Sequence, residues 1–175
     1  LLDLSAIPPS SLIEMVGPTV RSVVSGTYGR VALVATEATI GSGLYTEAFE
    51  MFDRKIVPIA IPALAGAIEA GEDETTLTAI ITEAFSKEVL GTFDTLVLAC
   101  THYPLVLPLF ERVLGSSIRI IDPARAVAEE TAAHFGAFEH GTGRVRFLLS
   151  EESATFRTHA SRLFPSLPLE IEVLQ

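Results

Sequence analysis

The sequence predicts an α/β protein built on a doubly wound parallel sheet. Three observations carry that expectation. Short apolar runs rich in strand-forming residues recur at residues 30–36, 55–61, 95–99 and 118–121. The segments between them place apolar residues at helical spacing, so strand and helix alternate along the chain. The run at 30–36 has valine and leucine on both faces, as a strand needs when helices cover the sheet on each side.

Taken in order, residues 1–9 read as the tail of a preceding unit. Ser10 and Ser11 open a mostly helical segment to Val24, with Pro18 expected to kink or restart it, and the glycine-flanked stretch 26–29 ends it. After the strand at 30–36, Thr36 and Thr39 are placed to cap the turn into a helix over 41–52. Gly41-Ser42-Gly43 does not continue as a nucleotide fingerprint, because residue 46 is threonine and no acidic residue follows in the required place. Those two glycines are expected to permit close approach of helix and strand. Pro62 ends the strand at 55–61, since proline cannot donate to a central ladder, and Glu69 follows on a loop.

Leu77, Ile80, Ile81, Ala84, Phe85 and Val89 form a helical stripe over 74–89, and Gly91 is its stop. The strand at 95–99 leads to Pro104, whose fixed φ suits a first helical turn. A helix over 105–114 should then turn Leu109, Phe110 and Val113 inward, with Pro108 in its first turn or at a kink. A strand at 118–121, a helix at 124–135, a strand at 144–149, a helix at 151–164 stopped by Pro165, and a strand at 169–174 complete the alternation. The linker at 136–143 marks a subdivision.

The chemistry gathers at Cys100, Thr101 and His102, placed consecutively beyond the end of the strand at 95–99. In open α/β sheets, ligands bind outside the carboxyl ends of the strands, so a thiol, a hydroxyl and an imidazole there are positioned to act. A helix starting at Pro104 would also favour the thiolate of Cys100. The plainer reading is that a lone cysteine is a small buried hydrophobe. Thr36 and Thr39 have two readings as well. Either they are caps supplying oxygen to orphan N–H groups, or their hydroxyls and the neighbouring amides hold a carboxylate at a strand-to-helix turn.

Composition narrows the function. The chain has 22 acidic against 12 basic residues, a net charge of −10, and no basic tract, which argues against nucleic acid or an anionic membrane as partner. Its single cysteine excludes an internal disulfide, and a working thiol suits a reducing, cytoplasmic setting. The longest apolar run, 56–68, is too short to span a bilayer and contains two prolines, and residues 1–13 lack the positive region of a signal peptide. The four histidines show no metal-ligand spacing, so no metal is expected; His134 and His159 read as helix-surface residues.

The six residues Cys100-Thr101-His102-Tyr103-Pro104-Leu105 resemble the second cysteine motif of the cofactor-independent glutamate racemases, part of the Asp/Glu racemase family. Residues 31–45 are similar to that family's strand, Thr-x-x-Thr loop and Ser-Gly-x-Tyr helix start. Residues 62–71 resemble its Val-Glu-x-Gly stretch, with Ile68 in place of the valine, and residues 120–122 and 143–149 resemble its closing strands. The family's Asp-Ser-Gly segment and first Cys-Asn-Thr motif have no counterpart here, and residue 1 is leucine. The resemblance therefore implies the later part of a racemase-like protein, with the N-terminal lobe largely missing. Residues 1–115 would be the second lobe and residues 116–175 a closing segment that packs on the first, lacking partners without it.

What the resemblance implies is interconversion of L- and D-glutamate, without pyridoxal or metal, in support of peptidoglycan synthesis. Cys100 would be one of two thiols that exchange a proton with opposite faces of Cα, and His102 would assist it. Thr36, Thr39 and Thr101 would orient the amino-acid substrate, and Glu69 would meet its ammonium group. Inversion needs an acid on one face and a base on the other, which two thiols can supply in turn. Single-cysteine decarboxylases of the same superfamily are a related alternative, and a non-catalytic racemase-like domain binding a small acidic ligand or a partner protein is another. The unpaired strands of the closing segment are expected to make the isolated chain self-associate, as a homo-oligomer, or aggregate.

Overall fold

The computed structural model describes residues 12–136 and 144–174. Ser10, Ser11 and the tail before them, and the linker after residue 136, lie outside the described residues. Helix α1 (Val16–Val24) leads into β1 (Val31–Ala35), α2 (Glu37–Gly41), α3 (Leu44–Glu50) and β2 (Ile56–Ala60). Then come α4 (Leu64–Ala70), α5 (Glu74–Ala84), α6 (Lys87–Leu90), β3 (Thr95–Leu98), a 3-10 turn (Tyr103–Val106) and α7 (Leu107–Leu114). β4 (Arg119–Ile121), α8 (Ala124–Phe135), β5 (Val145–Leu149), α9 (Ala154–Leu163) and β6 (Leu169–Val173) close the described chain.

The first four strands form one parallel sheet in the order β2-β1-β3-β4, and β5 and β6 form a separate parallel pair. β1 lies inside the larger sheet, with Val31 opposite Ile56 on one side and Thr95 on the other. Because successive side chains alternate between faces, each strand feeds two cores. Ala32, Val34, Leu96 and Leu98 pack under α4, α5 and α7 with Leu64, Ile81 and Phe110. Val31, Leu33, Ala35 and Val97 pack under α1 and α3 with Val23, Tyr45 and Phe49. Every residue of β1 and β3 is buried, the burial expected of a sheet wound on both sides. The α/β doubly wound class is thus the observed one.

Several boundaries differ from the sequence reading, each for a local reason. Pro18 sits in the first turn of α1, where its missing N–H has no helical partner to lose, so it neither kinks nor restarts the helix. The helix expected over 41–52 is two helices, broken at Gly43, whose φ of 72° is left-handed. That conformation is what demands glycine, for a Cβ at Gly41 would meet nothing within 4 Å and close packing is not the reason. The stripe at 74–89 is likewise cut, since Ser86 caps a new helix by accepting from the Val89 amide at 3.3 Å. Pro104 opens a 3-10 turn, and the α-helix starts only at Leu107 with Pro108 in its first turn. Pro58 is accommodated because β2 is an edge strand.

Residues after Gly115 do not all lack partners. β4 pairs with β3, aligning Thr95 with Arg119, and α8 packs on α1 with an Arg21–Glu130 ion pair. β5 and β6 pair with each other from Val145↔Leu169 to Leu149↔Val173, and Phe147 packs between Phe156 and Phe164 of the α9 region.

Candidate active site

The strand order creates the site before any side chain is considered. From β1 the chain crosses to β2 on one side, and β3 later enters on the other, so a crevice opens between the carboxyl ends of β1 and β3. Val34 is opposite Leu98, the Ala99 amide extends the ladder to the Val34 carbonyl at 2.8 Å, and two residues further on stand Thr36 and Cys100. The structure thus brings the threonine turn and the cysteine to the same end of neighbouring strands. Cys100 is half-buried against the core beneath α4 and α7.

Thr36 is the N-cap of α2. Its hydroxyl accepts from the Thr39 amide at 3.3 Å and lies 3.0 Å from the Thr39 hydroxyl. Both threonines are therefore fixed by capping geometry, yet each keeps oxygen lone pairs or a proton for a bound group. Thr101 is exposed in the turn that follows Cys100.

Glu69 is not on a loop. It lies in the last turn of α4, and that helix carries it to His102, with Oε1 3.8 Å from Nε2. This pairing spans two elements far apart in sequence. Beside them, Tyr103 is wholly buried and donates its hydroxyl to the Ile61 carbonyl at 3.0 Å. Burial first, and the neighbouring Cys100 second, push the Tyr103 phenol well above its ordinary pKa, so it remains a neutral donor.

Glu69 and His102 also line a cleft of about 620 Å³ between α4 and the β5–α9 region, together with Ser150, Phe156 and His159. Cys100, Thr36, Thr39 and Thr101 are not in its lining. The candidate residues therefore form two groups joined through residues 100–102: a thiol with two hydroxyls at the crevice, and an imidazole with a carboxylate at the cleft. His159 is not simply a surface residue, for its buried Nε2 has no hydrogen-bond partner among the described residues. Sequence reasoning missed it because a single histidine in a polar helix carries no signal of what packs against it. Tyr103 was visible only as part of the motif, and its bond to Ile61 depends on the tertiary fold.

A half-buried thiol at the switch point of a doubly wound sheet, with capped hydroxyls beside it and an imidazole–carboxylate pair two residues on, defines a class: doubly wound α/β proteins with a thiol-bearing polar crevice at the carboxyl ends of their strands. Comparison narrows that class. A family model described as Asp/Glu/Hydantoin racemase matches residues 2–131, and the chain belongs to that family.

A glutamate racemase from Desulforudis audaxviator is 31% identical over 180 residues, covering 95% of this chain and 65% of its own length. One from Chlorobaculum parvum is 35% identical over 134 residues, covering 75% of this chain and 46% of its own. Among solved structures, glutamate racemase isoform RacE1 from Bacillus anthracis superimposes with a TM-score of 0.79 at 26% identity, over 93% of this chain and 64% of that one. The chain spans less than two thirds of the length of these relatives. No helix among the described residues is long and apolar enough to cross a membrane.

Proposed function

We propose that this chain forms the Cys100-bearing part of a glutamate racemase that interconverts L- and D-glutamate in the cytoplasm, without pyridoxal or metal, for peptidoglycan synthesis. The observation that carries the reading is the placement of Cys100 and Thr36 side by side at the carboxyl ends of β3 and β1. Family membership and the names of the relatives support the same reaction.

In this reading the substrate carboxylate is held by the Thr36 and Thr39 hydroxyls, with Thr101 at the rim, and Cα faces the Cys100 sulfur. The thiolate removes the α-proton, and the negative charge that develops on the carboxylate is stabilised by the surrounding donors. His102, held toward Glu69, relays the proton of Cys100, while Glu69 also attracts the substrate ammonium. The sequence holds one cysteine, so a thiol on the opposite face of Cα would come from outside these 175 residues.

The test is racemisation of each glutamate enantiomer by the full-length protein in D2O, followed by chiral chromatography and mass spectrometry. Cys100→Ser should lower the rate by at least about 10²-fold, because a hydroxyl is far less acidic than a thiol and loses the general acid–base contribution. Equal activity of the two proteins would sink the assignment, and exchange without inversion would show that one face alone is served.

A further inference from the structure

The opposite edge of the large sheet, where the strands begin, carries an arrangement that the candidate active site does not use. Arg30 precedes β1, Arg54 and Lys55 precede β2, and Arg119 is the first residue of β4. The register aligns Val31 with Ile56 and Thr95, and Thr95 with Arg119, so these cations fall in a row along one edge. In a chain of net charge −10 with 12 basic residues, that concentration needs a reason.

Tyr28 is its centre. Arg54 donates from Nη2 to the Tyr28 carbonyl at 3.0 Å, and the Arg119 guanidinium lies over the Tyr28 ring, 4.8 Å from its centroid. Arg30, two residues along, donates from Nη1 to the Gly91 carbonyl at 2.9 Å and from its backbone amide to Asp94 Oδ2 at 3.0 Å, while its guanidinium comes to 3.8 Å from that carboxylate. The turn is shaped around these groups. A Cβ at Gly26 would lie 2.1 Å from Cε2 of Tyr28, and one at Gly29 would lie 2.5 Å from Asp94 Oδ2. Neither glycine has a positive φ, so space for the ring and the carboxylate is what glycine provides there.

The charge of this row is not balanced from within. Among the described residues neither Arg54 nor Arg119 has a carboxylate in ion-pair contact, and Asp94, beside Arg30, is the one acid paired with the row. Cations are often drawn to helix C-termini, which lie at this edge of a parallel sheet. That accounts for Arg30, bonded at the C-cap of α6, but Arg54 ends on a coil carbonyl and Arg119 on a ring. Guanidinium groups held by a carbonyl and a ring have already lost much of their rotamer freedom while keeping N–H donors unused.

We propose that this edge is a second ligand site, at which Arg30, Arg54 and Arg119 around Tyr28 bind a small phosphate-bearing anion. Planar guanidinium forks match phosphate oxygens in pairs, and a compact dianion would neutralise the row. An extended polyanion would be repelled by the rest of an acidic chain.

The experiment titrates the full-length protein with inorganic phosphate and with glucose 1-phosphate, followed by amide chemical shifts and by calorimetry. Shifts should centre on residues 28–30, 54, 55 and 119, and Arg54→Gln and Arg119→Gln should each weaken binding about ten-fold, the loss of a charge-assisted hydrogen bond. Arg112→Gln, which removes a cation paired with Glu74 on α5, should leave it unchanged. Equal affinity for both probes would assign recognition to the phosphoryl group alone, and tighter binding of the ester to an organic phosphate. The proposal is overturned if the wild-type shifts do not map to this edge, if Arg112→Gln weakens binding equally, or if a DNA duplex binds in preference to both probes. The mapping on unaltered protein stands even where a variant fails to fold.

Discussion

The two parallel sheets of this protein are built on the same hydrogen-bond pattern and differ in what covers them. In β1 and β3 every side chain is buried, whereas β5 and β6 alternate half-buried and exposed residues along their length. The inner face of the small sheet packs Phe147 against α9, and the outer face is tied by Arg144–Glu170 and Arg146–Glu172 ion pairs with Leu148 exposed beside them. Parallel strands are rarely stable with one face in water. The difference teaches that the larger sheet is held by its two apolar cores, and the smaller by one apolar face, its other face being covered only by screened charge that adds little.

That contrast can be broken by mutation. Leu33, at 0% exposure in the middle of β1, should cost about 2–5 kcal/mol when replaced by alanine, through lost burial and the cavity left behind. Leu148→Ala, at a side chain 53% exposed, should change stability by no more than about 0.5 kcal/mol. Urea unfolding of both variants measures the difference, and equal losses would show that the small sheet is as tightly integrated as the large one. Hydrogen exchange should agree, with amides of β5 and β6 opening before those of β1 and β3.

A smaller effect is expected where the motif is tied to the core. Tyr103→Phe removes the bond to the Ile61 carbonyl and should cost about 1 kcal/mol, more if that carbonyl finds no water. The sign of the pH dependence follows from the raised phenol. In the unfolded chain a tyrosine ionises near its ordinary value of about 10, while the folded protein keeps Tyr103 neutral above that. The advantage of wild type is therefore fully present below pH of about 10 and is lost as pH rises toward the folded value. Because burying a phenolate costs more than the hydrogen bond contributes, wild type should fall below Tyr103→Phe in stability at strongly alkaline pH. Phenolate absorbance should show Tyr103 titrating late, and Tyr45, whose phenol burial also raises, above its ordinary range as well; in Tyr103→Phe the latest step should be lost. The smallest effect belongs to Arg146→Gln, since an exposed ion pair is screened, and its unfolding midpoint should fall only within experimental error. A clear drop would mean that the outer charge layer contributes more than screening allows.

Much of this architecture was legible in the residues. The runs at β1, β3 and β4, the helical stripe of α5 and the placement of Cys100 beyond β3 follow from periodicity and turn chemistry. What escaped was α4. Pro62 marked the end of the strand, but the residues LAGAIEA that follow are short and begin without a capping side chain, so nothing local marked them as a helix, and Glu69 read as a loop residue. Its meeting with His102 is a long-range contact that no local pattern encodes. The same holds for His159, whose buried nitrogen is set by how α9 lies against α4. The breaks at Gly43 and Ser86 were encoded, one by a left-handed glycine and the other by a serine cap, but each lay inside a longer apolar stripe that masked it.

The Tyr103–Ile61 hydrogen bond has a consequence for how the site handles disorder. Ile61 follows β2 directly, and Pro62 and Ala63 alone separate it from α4, so the loop bearing Cys100 and His102 is moored at the root of the helix bearing Glu69. A free loop would have to be immobilised anew at each encounter with a substrate, at an entropic cost of roughly 1–2 kcal/mol per backbone residue. Here that ordering is completed once, during folding. Thiol and carboxylate then drift together when either element moves, and cutting the tether should loosen the affinity for a small ligand before it disturbs the overall fold.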